Sequence, residues 1–414
     1  MRFEFAWVAS GQILSAVGSL IVIRLTTESL RPDIYGEMAL LLTVSALVTQ
    51  VLLGGVNAAT SRHFAIALEL GQTANYLNII TKYADRIVIA GVLLVATIAL
   101  GNSLIRVSPN SLVWIICFVF ALISGVNSII NGVINTARKR IVSAIHQVCE
   151  IWLRIPLLFT LLFLCPNSTL GVLLAFLVTS IIIALSQRRF LLVLAKSTLG
   201  CQTSVEPWEK KIIKYALPYI PWTFLVWVQQ ASDRWALEYF SGHQAVGIYA
   251  VIFQIGFSSL SMLFTIGIRF VQPIVYQHAS TRKSKGLGDA AEIYNYRLIM
   301  ISVFIAVVLF LITTAFHHTI FSLLVNTKYR EFSYLLPWMV ASSGLFGISE
   351  ILSLKMQSDM HVRRLSAVKS VLGLIGVLFS VLGAAYGGLD GVVLALVLFN
   401  IMSLVAMAVS AYAQ

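Results

Sequence analysis

From Val392 to Ala411 the chain runs 20 residues without a charged side chain, and stretches of this kind recur along its whole length. A helix needs about 20 apolar residues to cross roughly 30 Å of hydrocarbon. Six stretches in the first half reach or approach that length: Trp7 to Leu25, Ile34 to Asn57, Ile87 to Ile105, Ser111 to Ile134, Ile145 to Cys165 and Ser168 to Ser186. Six more follow: Leu217 to Phe240, Val246 to Ile268, Leu298 to Ala315, Tyr334 to Leu354, Val368 to Tyr386 and Val392 to Ala411. They are continuously apolar and do not alternate at period two, which excludes the strands of a membrane barrel. With 58% hydrophobic and 11% charged residues, the chain also lacks the polar surface to coat a water-soluble globule. The sequence predicts an all-α integral membrane protein of about 12 transmembrane helices. The first apolar run leads straight into others, so the N-terminus reads as a span and not as a cleaved signal.

The distribution of Lys and Arg gives an orientation. With the N-terminus inside, 21 of the 29 basic residues fall in inner segments; Arg31, Arg106, Lys328 and Arg330 fall in outer loops, and Arg24, Arg154, Arg234 and Arg269 in spans. The positive-inside rule then puts both termini in the cytoplasm. The net charge of +12 is spread over many short loops and forms no compact patch, so membrane lipids are the expected partner and nucleic acid is not. Cys117, Cys149 and Cys165 lie in apolar runs and Cys201 in a basic loop, with no CxxC or Cys/His spacing, so neither a metal nor a cofactor is expected.

The chain repeats itself at about half its length. Arg24-x-x-x-Glu28-x-Leu30 followed by Tyr35-Gly36-x-x-Ala39 matches Arg234-x-x-x-Glu238-x-Phe240 followed by Val246-Gly247-x-x-Ala250. Further on, Ser143-Ala144 after a basic turn corresponds to Ser366-Ala367 after Arg363-Arg364. Copies that both start inside and hold an even number of spans are parallel, related by an axis along the membrane normal. The expected organisation is a six-helix bundle over 1–190, a basic cytoplasmic linker over 191–214 and a second six-helix bundle over 215–414, enclosing a central cavity.

An ionisable group inside a span costs roughly 2.5–3.5 kcal/mol on the insertion scale, so each is a functional candidate. Arg24 and Arg234 occupy equivalent positions, and pseudo-twofold symmetry would turn them towards one another across a cleft as a site for phosphate oxygens. Glu28 and Glu238 lie four residues on, so each arginine equally suits a local bridge. Arg154 has Glu150 at the same spacing, and Arg269 at a helix end can snorkel to the headgroups. Gln229, Gln230, Asp233 and Arg234 make one stretch of the seventh helix unusually polar, and Asn127, Asn131 and Asn135 draw a stripe along the fourth; either set suits a cavity lining or interhelical hydrogen bonding. The substrate-binding candidates are Arg24, Arg234, Arg154, Asn131 and Gln230. Asp233, Glu350 and Glu150 are the candidates for a coupling ion, H+ or Na+. Pro218 and Pro221 open the seventh helix, and Gly36 and Gly247 start the second and eighth, as suits helices that rearrange.

Two parallel six-helix halves, the Leu217-Pro218 helix start, Asp233-Arg234 followed by Phe240 and Gly247-x-Tyr249, and the basic turn after the fourth helix resemble the Wzx-type O-antigen flippases of polysaccharide biosynthesis. The resemblance covers essentially the whole chain through diffuse motifs and implies membership of the multidrug/oligosaccharidyl-lipid/polysaccharide superfamily. It implies a flippase moving an undecaprenyl-diphosphate-linked oligosaccharide between leaflets by ion-coupled alternating access, in the company of other polysaccharide assembly proteins. Multidrug exporters of the same superfamily are an alternative, but they commonly carry an acidic residue in the N-terminal bundle, and helix 1 has none between Trp7 and Leu25. A multispanning polymerase or ligase is the other alternative. Such enzymes usually carry a large outer loop, here absent, and the chain has no DxD pair, GxSxG, HExxH or GxxxxGK[ST] motif.

Overall fold

The computed structural model describes residues 2–104, 111–197, 207–268, 271–272, 275, 289–358 and 361–412, and every regular element among them is helical. Arg106, Cys201 and Arg269, singled out in the sequence, lie outside the described residues. The helices are α1 (Arg2–Ser29), α2 (Pro32–Leu47), α3 (Gly54–Glu69), α4 (Thr73–Leu104), α5 (Ser111–Thr136), α6 (Arg140–Leu164), α7 (Thr169–Ser197), α8 (Trp208–Ala216), α9 (Tyr219–Ile252), α10 (Asp289–Leu324), α11 (Leu336–Ser358) and α12 (Val362–Tyr412).

Nine helical stretches among the described residues are long and apolar enough to cross a membrane. Two of them, Tyr219–Ile268 and Arg363–Tyr412, run 50 residues each. Both fold back on a glycine in the left-handed region, Gly242 (φ 78°) and Gly388 (φ 54°), so each supplies two crossings. A side chain with a β-carbon is strained at that φ. With α4, whose residues 87–104 carry no charge, the membrane-crossing helices match the twelve spans of the sequence. Phe163 at 81% and Phe304 at 69% exposure face outward, as lipid-facing side chains do.

The chain divides into two compact units. The first comprises Met1–Leu30 and Glu37–Trp227. Lipid tails are as apolar as leucine, so close backbone approach and interhelical hydrogen bonds hold such a bundle together. Gly11 and Gly18 let α1 approach α6 at Ala144 and Ile151, and Gln12 Nε2 donates to Gln147 Oε1 at 3.0 Å. Asn127 Nδ2 on α5 donates to the Ser180 carbonyl of α7 at 2.9 Å, and Asn57 Nδ2 on α3 donates to Ser128 Oγ on α5 at 3.0 Å. At the basic end, Trp208 and Ile212 of α8 sink into a core with Tyr76, Leu77, Ile80, Phe64 and Ile134.

The second unit comprises Arg31–Gly36 and Val228–Gln414. Its α11 is a small-residue helix: Gly344 accommodates Ala306 of α10, Gly347 accommodates the Phe264 ring, and Gly256 lies against Met339. Ser343 Oγ donates to the Phe257 carbonyl at 2.9 Å, and Asn400 Nδ2 of α12 donates to Ser342 Oγ at 2.8 Å. Tyr35 meets Tyr329 edge to face at 6.0 Å between ring centroids.

The repeat has structural counterparts. Each half carries a π-turn in its second helix, Val48–Leu52 and Phe253–Ser258. Ser143 lies in the first turn of α6 and Ser366 in the first turns of α12. Some elements exceed their sequence boundaries. The second span continues past a bend at Leu53 into α3, and the third begins at Thr73 in place of Ile87. The segment 191–214 is a linker only in part. Its start completes α7, and from Trp208 it forms α8, which is docked because Trp208, Ile212 and Ala216 recur at every fourth position and make one apolar face.

Candidate functional site: charged residues within the spans

In the first unit Arg24 lies on α1, its side chain 38% exposed, with Nη2 2.9 Å from Glu28 Oε2. The local bridge expected from the i,i+4 spacing forms here. Arg154 of α6 also takes its i,i+4 partner, Glu150, and its guanidinium lies over the Phe176 ring of α7 at 4.7 Å. Arg154 Nε is buried and finds no acceptor among the described residues. Asn131 uses its side-chain oxygen to accept from Ser143 Oγ at 2.6 Å, tying α5 to α6. Asn127 bonds to α7, whereas Asn135 is exposed, so the asparagine stripe splits among different neighbours.

The second unit departs from the spacing rule. Glu238 is four residues from Arg234, yet its carboxylate takes His243 Nδ1 at 2.6 Å. The reversal at Gly242 brings His243 back beside Glu238, a partner that helical periodicity cannot foresee. Arg234 instead stacks over Phe253 at 4.8 Å, with Tyr249 at 5.9 Å. Its Nη1 is 3.8 Å from Asp233 Oδ1 and 3.4 Å from the Gln230 carbonyl. A guanidinium in this posture is held by aromatic faces and keeps donors for a planar anion. Gln230 is exposed, while Gln229 lies over Gly373 and Gly376 of α12.

Asp233 is 6% exposed and is satisfied mainly by neutral donors. The Tyr249 hydroxyl donates to Oδ2 at 2.5 Å, and the Arg234 backbone N–H donates to Oδ1 at 2.7 Å. Tyr249 lies beyond the Gly242 reversal, so this bond ties the two arms of the α9 hairpin together.

Glu350 of α11 is closed by a lysine from α12. Lys369 Nζ donates to both carboxylate oxygens, at 2.8 and 3.0 Å. Lys369 lies two turns into α12, where α12 passes α11. It is the second residue of the span Val368 to Tyr386, at its inner end, and the partner it takes there lies on another helix.

Among the described residues no three His, Cys, Asp or Glu side chains gather as metal ligands. The arrangement offers paired charges, aromatic-stacked guanidinium groups and helices interrupted by π-turns.

The family model described as Polysaccharide biosynthesis protein matches residues 4–279, well over half of the chain. The chain belongs to that family. No curated protein sequence matches it. Solved structures similar in fold to this polysaccharide biosynthesis protein include an inward-facing multidrug resistance MATE family transporter of the MOP superfamily, with TM-score 0.71, 13% identity, and coverage of 97% of this chain and 96% of that one. The lipid II flippase MurJ in an inward closed conformation has TM-score 0.70, 11% identity and coverage of 99% and 87%. A MOP superfamily transporter from Pyrococcus furiosus Vc1 (DSM3638), whose binding pocket is of reverse polarity, has TM-score 0.63, 14% identity and coverage of 98% and 95%. At these identities the likeness is one of fold, and the solved relatives are transporters and a flippase.

Proposed function

We propose that this polysaccharide biosynthesis protein is a flippase that carries an undecaprenyl-diphosphate-linked oligosaccharide, such as an O-antigen unit, from the inner to the outer leaflet of a bacterial inner membrane. Its basic end, with both termini, is cytoplasmic. The observation that carries the reading is Arg234, an intramembrane guanidinium stacked on Phe253 with its nearest carboxylate at 3.8 Å. Such a group retains N–H donors for a diphosphate and costs too much in lipid to be kept without use. Arg24, its counterpart in the repeat, is the second phosphate ligand, and it exchanges Glu28 for substrate oxygens. Arg154, Asn131 and Gln230 stand behind these two as weaker candidates. Arg154 is engaged by Glu150 and Asn131 by Ser143.

Transport runs by alternating access, with the lipid tail left in the membrane and the charged headgroup carried through the protein. An ion gradient drives it. Of the three carboxylates proposed for the coupling ion, Glu150 and Glu350 are already neutralised by Arg154 and Lys369. Asp233 is the better site for H+ or Na+, since its Oδ2 is held by the neutral Tyr249 hydroxyl and its cationic neighbour, the Arg234 guanidinium, stands off at 3.8 Å. A multidrug exporter of the same superfamily shares the fold, but cationic candidates on both repeats disfavour a cationic cargo. The testing experiment is deletion of the gene. Lipid-linked oligosaccharide should then accumulate on the cytoplasmic leaflet while surface polysaccharide disappears. Units that still reach the outer leaflet but stay unpolymerised would refute transport in favour of a polymerase or ligase.

A further inference from the structure

Helix α8 has two unlike faces. One, made of Trp208, Ile212 and Ala216, is buried in the first unit. Trp208 Nε1 donates to Gln72 Oε1 at 3.2 Å, and Arg86 of α4 bridges Glu209 at 2.9 Å, so the helix is pinned against α3 and α4. The opposite face carries Lys210, Ile213, Lys214 and Leu217, all exposed. Neither Lys210 nor Lys214 has an acidic partner among the described residues. Ile213 is 43% and Leu217 59% exposed, each three residues after one of the lysines. The exposed cations Arg62 and Lys82 lie on the two helices that α8 is docked against.

A solvated loop accounts for exposed lysines, but not for isoleucine and leucine interleaved with them on a helix whose other face is already buried. Lysines beside apolar side chains on one helical face match the boundary between phosphate headgroups and acyl chains. We infer that the outer face of α8 is a binding surface for anionic phospholipid, with Lys210 and Lys214 on the headgroup phosphate and Ile213 and Leu217 against the first methylenes of the tails. The binding has a structural consequence. The Ala216 carbonyl at the end of α8 abuts Gly55, where a β-carbon would lie 2.7 Å away, next to the bend at Leu53. A lipid held on α8 therefore braces the break between α2 and α3.

The test is titration of the delipidated full-length protein with phosphatidylglycerol and with phosphatidylcholine, followed by native mass spectrometry. It does not depend on transport, so it can fail while the flippase reading stands. A cation near an anionic membrane surface is worth about fivefold in affinity, so K210Q/K214Q should lose roughly 25-fold of the preference for phosphatidylglycerol. K210R/K214R should keep it. Glycerol phosphate, a headgroup without tails, should not compete. High salt should erase the preference in the unmodified protein, an outcome that holds even if the glutamine variant folds poorly. Equal binding of both lipids by the unmodified protein overturns the inference. So does a preference that survives both salt and the glutamine substitutions, or effective competition by glycerol phosphate.

Discussion

Gly36 and Gly247 meet backbone to backbone: a β-carbon built on Gly247 would lie 2.9 Å from the Gly36 amide nitrogen, and one built on Gly36 would lie 3.0 Å from that of Gly247. The two glycines occupy the same place in the two copies of the repeat, at the starts of the second and eighth spans. Closeness of this kind between membrane helices is available only to the smallest residues.

Alanine at either position must force the helices apart. G36A or G247A should lower stability by about 1–3 kcal/mol, the usual cost of overpacking. Gly387 has nothing within 4 Å of its β-carbon position, so G387A is the control. Thermal unfolding of the purified protein measures the difference. Equal melting of all three variants would remove the contact from the account.

Replacing Arg24 and Arg234 together by Ala should abolish translocation of lipid-linked oligosaccharide while leaving expression and insertion intact. A charge-assisted hydrogen bond contributes about 1.5–3 kcal/mol, so each single variant should lose on the order of 10- to 100-fold. Translocation into proteoliposomes provides the measurement, and full activity of the double variant excludes both residues from the site.

Tyr249→Phe removes the hydrogen bond to Asp233 and leaves a buried carboxylate short of a donor, at a cost of about 1–3 kcal/mol. The coupling role assigned to Asp233 adds a second expectation. The ion concentration for half-maximal transport should shift in Y249F, whereas D233N should uncouple transport from the gradient altogether.

Lys369→Met leaves Glu350, its side chain 32% exposed, without its cation and should destabilise the protein by about 1 kcal/mol. Adding E350Q should recover most of the loss, because the pair is then removed as a unit. Additive damage in the double variant would show that the two residues act separately.

Much of this molecule is readable before any coordinates. Uncharged runs such as Val246 to Ile268 can only be spans, and each half of the repeat carries a π-turn in its second helix, although Phe253–Ser258 begins earlier than the Arg24/Arg234 register would carry Val48–Leu52. What escaped is whatever depends on chain reversal or on contacts between distant helices. His243 takes Glu238 because Gly242 turns the chain back on itself, and Lys369 finds Glu350 across two helices. Periodicity reports neighbours on one helix, which is why it located the Arg24–Glu28 and Arg154–Glu150 bridges and misled at Arg234. The docking of α8 was encoded in its four-residue spacing of Trp208, Ile212 and Ala216, but a dense run of lysines gave it the look of a loop.

The glycine corners at Gly242 and Gly388 have a mechanical corollary. With a single residue making each reversal, the paired helices have no slack there to slide lengthwise, so each hairpin must travel as one stiff fork. Any bending these forks undergo is pushed away from their tips and into the body of the helices, where the π-turn at Phe253–Ser258 has already loosened the hydrogen-bond ladder.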